Sequence, residues 1–375
     1  MTSRERLETA WSFEQADRVP IELRISPNAY DHPGAARVLE LIDECADNFY
    51  GCSPYDWGFL GLPATYSERE LERKPGEFVR TERIYDTSAG PFTAIVREPD
   101  FEGGAIDCHW EKRYITCPED IERLIEPTFE VREPDVGELH RAVAEVGDKG
   151  IVLVSILHPL GWLVRNATME EVYIWFKTHR DLIHRFLEVT NTHVAETVEA
   201  MLLAGIGPYF AVCAHEMLIP PWAGTEFFEE FVFQYDKRVN DVIHAHGGKL
   251  RAHCHGNAMH YLERFWEMGI DAVEPLEAAP MGDVDLSEAK LRVGDRMLLS
   301  GNIPSPYFPT WSREQVEQSV CEAIKAGAPG GGFSLRTTGG TAGTGAVRGF
   351  EQLGKILDNC EAYLLAGLKY GAYPI

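Results

Sequence analysis

From residue 118 onward, the hydrophobic pattern switches repeatedly between two periods. Short, nearly continuous apolar runs (IVLVS, YFAVC, LRAHC, DAVEP, MLLSG and GFSLR) are bounded by turn residues. Between them lie segments with the i, i+3, i+4 spacing of amphipathic helices. Helices are predicted over residues 168–203 (broken near His179), 225–245, 257–268, 285–293, 312–326 and about 347–368. Strands that are apolar on both faces are what helices covering a parallel sheet require. The earlier part of the chain supplies one more such run, IELRI, after a helix that Ser3 caps and that runs to about Phe13. In this strand Glu22 and Arg24 share a face. A helix over 33–48 and a Gly-, Pro- and aromatic-rich loop over 51–68 follow. Residues 80–116 then read as antiparallel, with alternating runs FVRTERIYD, FTAIVRE and AIDCHWEKRYI.

Seven strands, with room for an eighth in residues 80–116, predict an α/β fold. It is a single (β/α)8 TIM barrel over 1–375 with an N-terminal helical and β excursion, in which residues about 50–117 form a β-rich insertion or lid. A doubly wound sheet is the alternative. Its nucleotide-binding form wants G-x-G-x-x-G after the first strand, and IELRISPNAYD has no such glycines.

Composition narrows the function classes. A formal net charge of −24 excludes nucleic acid and anionic membranes as partners, because like charge repels them. It leaves open a small anionic substrate in a locally basic pocket. No apolar run reaches the length of a spanning helix, and MTSRERLETAW has no signal-peptide core. Eight cysteines without a C-x-x-C pair make neither a zinc ribbon nor a disulfide framework. The expected location is therefore cytoplasmic.

In a barrel, chemistry sits at the C-terminal ends of the strands. The residues there are Arg24, His158, His215 and Glu216, His253 and His255, Glu274 with Glu277, Asn302 and Arg336. The stretch 249–280 carries the densest set. It reads as strand, helix, strand, and alternation places His253 and His255 on one face with Cys254 pointing away. Two imidazoles beside one or two carboxylates suit either a metal or acid–base work. Arg336 either salt-bridges a neighbouring carboxylate or binds a substrate anion. The glycines at 330–332 and 339–345 read as tight turns, with backbone phosphate binding as the alternative.

The opening SRERLETAWSFEQADRVPI, the run FFEEFVFQYDKRVNDVIHAHGGKLRAHCHGN, MGIDAVEPLEAAPMGDVDLSEAK, VGDRMLLSGNI and GGFSLRTTGG together resemble the uroporphyrinogen decarboxylase superfamily over nearly the whole chain. That resemblance implies a (β/α)8 barrel. True uroporphyrinogen decarboxylases carry R-Q-A-G-R after the first strand, where this chain keeps only Arg24. They carry G-H-G near the last strand, where it has Thr338-Gly339-Gly340. The chain is more similar to the branch of zinc-dependent methyltransferases that work with corrinoids. Their zinc is held by H-x-C on the strand holding His253 and by a later cysteine. Here His255 replaces the first cysteine, and the second has no counterpart among residues 336–345. The resemblance thus implies zinc, or another divalent metal, on His253, His255 and Glu274 or Glu277. It implies proton handling by His215, Glu216 and His158, and a small anionic substrate held by Arg24, Asn302 and Arg336. No D-x-H-x-x-G segment occurs, so a corrinoid would come on a partner protein. The implied function is metal-dependent methyl transfer or demethylation by a homodimer. The alternative is metal-free decarboxylation of an aromatic or tetrapyrrole acid.

Overall fold

The computed structural model describes residues 1–100, 108–347 and 349–375. The strands, in chain order, are β1 (Ile21–Glu22), β2 (Asn48–Cys52), β3 (Ala64–Lys74), β4 (Phe78–Thr87), β5 (Gly90–Pro99), β6 (His109–Lys112), β7 (Gly150–Ser155), β8 (Tyr209–Cys213), β9 (Lys249–Cys254), β10 (Ala272–Pro275), β11 (Leu298–Ile303) and β12 (Phe333–Thr337). Eight of these pair in parallel in the order β1-β12-β11-β10-β9-β8-β7-β2, with helices between them. This is the (β/α)8 barrel.

The two ends of that order meet without a backbone ladder. The Asn48 side chain takes the place of one: its Oδ1 accepts from the Leu23 N–H and its Nδ2 donates to the Leu23 carbonyl, both at 3.0 Å. One residue earlier, Asp47 Oδ2 accepts from the Ile21 N–H at 2.9 Å. Asp47 is fully buried and is itself paired with Arg6 and Arg18, each at 2.6 Å.

The eighth barrel strand is therefore β2, not a segment of residues 80–116. The expected helix over 33–48 stops at Cys45, and NFYGC, read as helix end and loop, enters the barrel beside β7. A five-residue run containing glycine carries too little periodicity to announce itself; its long-range pairing decides. The antiparallel reading of 80–116 corresponds to β4, β5 and β6 in a separate four-stranded sheet, β3-β4-β5-β6. The Ala105–Asp107 part of the run AIDCHWEKRYI lies outside the described residues. Strand β3 was not foreseen. Its sequence, ATYSERELERK, is exposed almost throughout and has no apolar face to reveal it. Thr2 rather than Ser3 caps the first helix, Ser3–Trp11, in a capping box with Glu5.

That first helix closes the bottom of the barrel. Leu7 and Trp11 pack on Phe49, Ile151, Ala272 and Leu298, and Trp11 Nε1 donates to the Asp271 carbonyl. The closing helix, Phe350–Tyr370, seals the other side of β1. Tyr363 Oη reaches the carbonyls of Glu22 and Leu335 at 3.0 and 2.9 Å. Gly367 permits this approach, since a Cβ there would lie 2.7 Å from Ile21 Cδ1. Gly331 sits in a turn at φ +90°, where a Cβ would meet the Glu14 carbonyl oxygen at 2.4 Å. Among the described residues no helix is long and apolar enough to cross a membrane.

Candidate active site

Alternation along β9 sends Arg251 and His253 into the barrel and turns Cys254 into the surrounding core, where it is buried. Register then sets their partners. His253 stands opposite Glu274 of β10, and Glu22 of β1 stands opposite Arg336 of β12. The result is a chain of charge across the interior. Arg251 Nη2 donates to both Glu22 oxygens (3.0 and 2.8 Å), and Arg336 Nη1 donates to Glu22 at 2.9 Å. Arg336 Nε lies 2.8 Å from Glu274 Oε2, and Glu274 Oε1 lies 2.9 Å from His253 Nδ1. Ser334 Oγ donates to Glu22 as well, at 2.7 Å. Burial pushes the Glu22 and Glu274 carboxyls up, but the neighbouring arginines outweigh it and hold both below the usual carboxylate range.

His255 repeats the arrangement of His253 just beyond the strand. Its Nδ1 lies 3.0 Å from Glu277 Oε1, and the other Glu277 oxygen accepts from the Gly256 N–H at 2.9 Å. The hydrogen bond to Glu277 raises the His255 pKa despite partial burial. The two imidazoles stand edge to face with centroids 4.6 Å apart. A carboxylate only accepts, so each ring carries its proton on Nδ1 and keeps its Nε2 lone pair available. That is how metal-ligating histidines are oriented by carboxylates behind them. Glu274 and Glu277, expected from sequence as ligands, therefore sit on the Nδ1 side of the rings as their supports. Glu274 is in addition committed to Arg336. The donor chemistry of the two histidines fits a divalent metal; that of the two glutamates fits its second layer.

Glu274, the partner of His253, also borders a cavity of about 220 Å³ that neither histidine lines; Glu22, Arg24, Asn48, Arg251 and Arg336 are among its other walls. Arg24 lies over the Tyr50 ring at 4.7 Å and makes no ion pair among the described residues, so it is the cation free to meet an anion. Arg336 is already held between two carboxylates. Arg251 is 3% exposed, and its Nε and Nη1 have no hydrogen-bond partner among the described residues. Asn302 stands beside Arg336 in register on β11, outside the cavity lining.

The other expected catalytic histidines take a different place. His158 and His215, 3% and 1% exposed, point Nε2 at the same oxygen of Asp236, at 2.8 and 3.1 Å. Asp236 lies on the helix Gln234–Ala245, so this cluster occupies the layer between sheet and helices, beside a void of only about 10 Å³. A substrate has no access to it, which removes His158 and His215 from direct proton handling. Among the described residues it is the only trio of metal-ligating side chains whose ligand atoms lie within 4.8 Å of one another. Its protons argue against a metal. His158 Nδ1 accepts from the Gly161 N–H at 3.0 Å, so the ring proton is on Nε2, directed at Asp236. Binding a metal through Nε2 would require an imidazolate. Glu216 differs from its neighbour His215. It pairs with Arg165 at 3.3 Å, keeps Oε2 unpartnered, and lies near enough to His255 to help raise its pKa.

Arg251 and Asp236 were missed from sequence. For Arg251 the signal was present, because it sits two residues before His253 on the same inward face. Asp236 lies in the first turn of its helix with no local mark of chemistry, and only the fold brings it to the histidines.

Comparison with known proteins agrees with this architecture. The family model described as uroporphyrinogen decarboxylase (URO-D) matches residues 100–337. A uroporphyrinogen decarboxylase of Methylibium petroleiphilum is 28% identical over 215 residues, covering 52% of this chain and 54% of that protein. One of Paraburkholderia phytofirmans is 30% identical over 164 residues, covering 41% of each. The chain thus spans about half the length, or less, of the curated relatives it matches. Among solved structures, a methyltransferase from Methanosarcina mazei superposes with a TM-score of 0.59 over 99% of both chains, at 14% identity, a likeness of fold.

Proposed function

The chain belongs to the uroporphyrinogen decarboxylase family, and on that footing we propose that it is a metal-dependent methyltransferase or demethylase acting on a small anionic substrate with a separate corrinoid protein. The observation that carries this reading is the pair His253 and His255, each with Nδ1 held by a carboxylate and Nε2 left available. These two would hold zinc or another divalent ion, with Glu274 and Glu277 fixing their tautomers. When bound, such an ion supplies Lewis acidity that eases deprotonation of a nucleophile or polarises a leaving group. Arg24 binds the substrate anion at the cavity, and Glu216, near enough to His255 to raise its pKa, takes the proton through its buried Oε2, which has no partner among the described residues. His158 and His215 act on this site only by fixing the turn that carries Glu216. A cytoplasmic homodimer belongs to the same reading.

Elemental analysis of the purified protein tests it. About one divalent ion per chain is expected, lost together with methyl transfer from a methylated corrinoid in His253→Ala and His255→Ala variants that keep their circular dichroism. Substoichiometric metal with a fully active His253→Ala variant refutes it. A second reading, metal-free decarboxylation, is favoured by the three arginines on the cavity and by the names of the two curated relatives. Carbon dioxide release that persists in a chelator would select it.

A further inference from the structure

A second cavity, of about 420 Å³, lies where the four-stranded sheet meets the barrel. The sheet contributes Tyr66, Arg83, Tyr85 and Trp110; the barrel contributes Trp162 and Arg165 from the helix Pro159–Asn166, with Met217 beside them. Arg113 and Tyr114 lie at the junction. Two properties set this cavity apart. Among the described residues its wall has three arginines and no carboxylate, in a chain with 59 acidic and 35 basic residues. It is also lined by five aromatic rings, of which Tyr66, Tyr85, Tyr114 and Trp110 form a continuous series with neighbouring centroids 5.0 to 5.9 Å apart.

The cations are already stacked on this aromatic surface. Arg113 lies 4.4 Å and Arg83 6.0 Å from the Trp110 centroid, and Arg165 lies 5.9 Å from that of Trp162. Arg83 is paired with Glu68 and Glu98, and Arg165 with Glu216. Arg113 has no carboxylate partner among the described residues; its Nη1 donates to the Arg165 carbonyl at 3.0 Å. Trp162, on the barrel side, is 39% exposed, a large apolar ring left facing this space.

We propose that this cavity is a binding site for a small planar aromatic anion, an arene carboxylate of one or two rings. Stacked guanidinium and indole planes recognise a flat ring by its face, and the charge of Arg113, which meets no carboxylate among the described residues, selects an anionic substituent. The volume lies at the small end of the range for ligand pockets, roughly 300 to 1,000 Å³. The site depends neither on a metal nor on the histidine pair.

Calorimetric titration of the whole protein with 2-naphthoate tests the assignment, with 2-naphthylmethanol and cyclohexanecarboxylate as uncharged and non-aromatic comparators. Naphthoate is expected to bind at least tenfold more tightly than either comparator. Arg113→Gln and Trp162→Ala, the latter a partly exposed position that keeps the fold, should each weaken it at least fivefold, while Arg24→Gln in the barrel cavity leaves it unchanged. Comparators that bind as well as naphthoate, an affinity indifferent to both cavity substitutions, or a loss produced by Arg24→Gln instead would each overturn the proposal. Because binding rather than turnover is read, its failure leaves the metal reading standing.

Discussion

Glu22 is the residue on which the interior charge of the barrel depends, and replacing it with glutamine changes charge while keeping shape. In the wild-type protein its carboxylate takes two hydrogen bonds from Arg251, one from Arg336 and one from Ser334. In Glu22→Gln, Arg336 keeps Glu274, but Arg251 loses its only carboxylate while 3% exposed. Breaking one side of a buried ion pair destabilises by about 3–5 kcal/mol, mostly from the charge left behind. With an unfolding entropy of about 2.1 cal/mol/K per residue, a chain of this length loses roughly 0.8 kcal/mol per kelvin, so the melting temperature should fall by about 4–6 °C. Differential scanning calorimetry at pH 7 measures this. The double variant Glu22→Gln/Arg251→Gln removes the stranded charge and should recover a large part of the loss, giving a coupling of at least about 1 kcal/mol. A drop below about 1 °C in the single variant, or strictly additive losses in the double, would show that Arg251 does not depend on Glu22.

Three further outcomes follow from the same geometry. Glu277→Gln should lower zinc affinity about 10- to 100-fold in competition with a chelating dye, as removal of an orienting carboxylate does elsewhere; an unchanged affinity would mean that Glu277 does not support His255. Burial depresses the His215 pKa, so its neutral form is favoured in the fold and its contribution is complete above the unfolded value near 6.5 and lost as pH falls below it. Between about pH 6.5 and 5, the melting temperature of the wild type should therefore decline more steeply than that of His215→Asn, and parallel slopes would refute the assignment. Arg24→Gln should raise KM for the anionic substrate roughly 10- to 100-fold, the worth of a charge-assisted hydrogen bond, with the melting temperature unaffected.

The parallel barrel was legible because six of its strands are apolar runs set between helical periods. So was the face shared by His253 and His255, because strand alternation is strictly local. What a strand-end position does not carry is direction. His158 and His215 follow β7 and β8 just as His253 ends β9, yet both turn outward under the helices. There His158 accepts the Gly161 N–H and both meet Asp236, a partner that lies on another element and far along the chain from His158. The side of the imidazoles on which Glu274 and Glu277 stand was not legible for a related reason. Sequence brings a carboxylate near an imidazole but does not say which ring nitrogen it will face. Strands β2 and β3 were missed because one is short with a glycine and the other is charged on both faces.

The Asn48 seam has a consequence for the order in which the molecule is made. Strand β1 forms a backbone ladder with one neighbour, β12, with Ile21 opposite Leu335. Its other side is held by a single backbone bond, from the Asp47 N–H to the Ile21 carbonyl at 2.7 Å, and by the Asn48 and Asp47 side chains. A chain leaving the ribosome can pair β7 with β8 and β8 with β9 as each emerges, but β1 must wait until residues 333–337 have been synthesised. The cylinder therefore closes last where β1 meets β12. Until then Glu22 has no Arg336 and the strand IELRI lacks its ladder partner, which makes the β1 segment the part of the barrel most in need of protection from association.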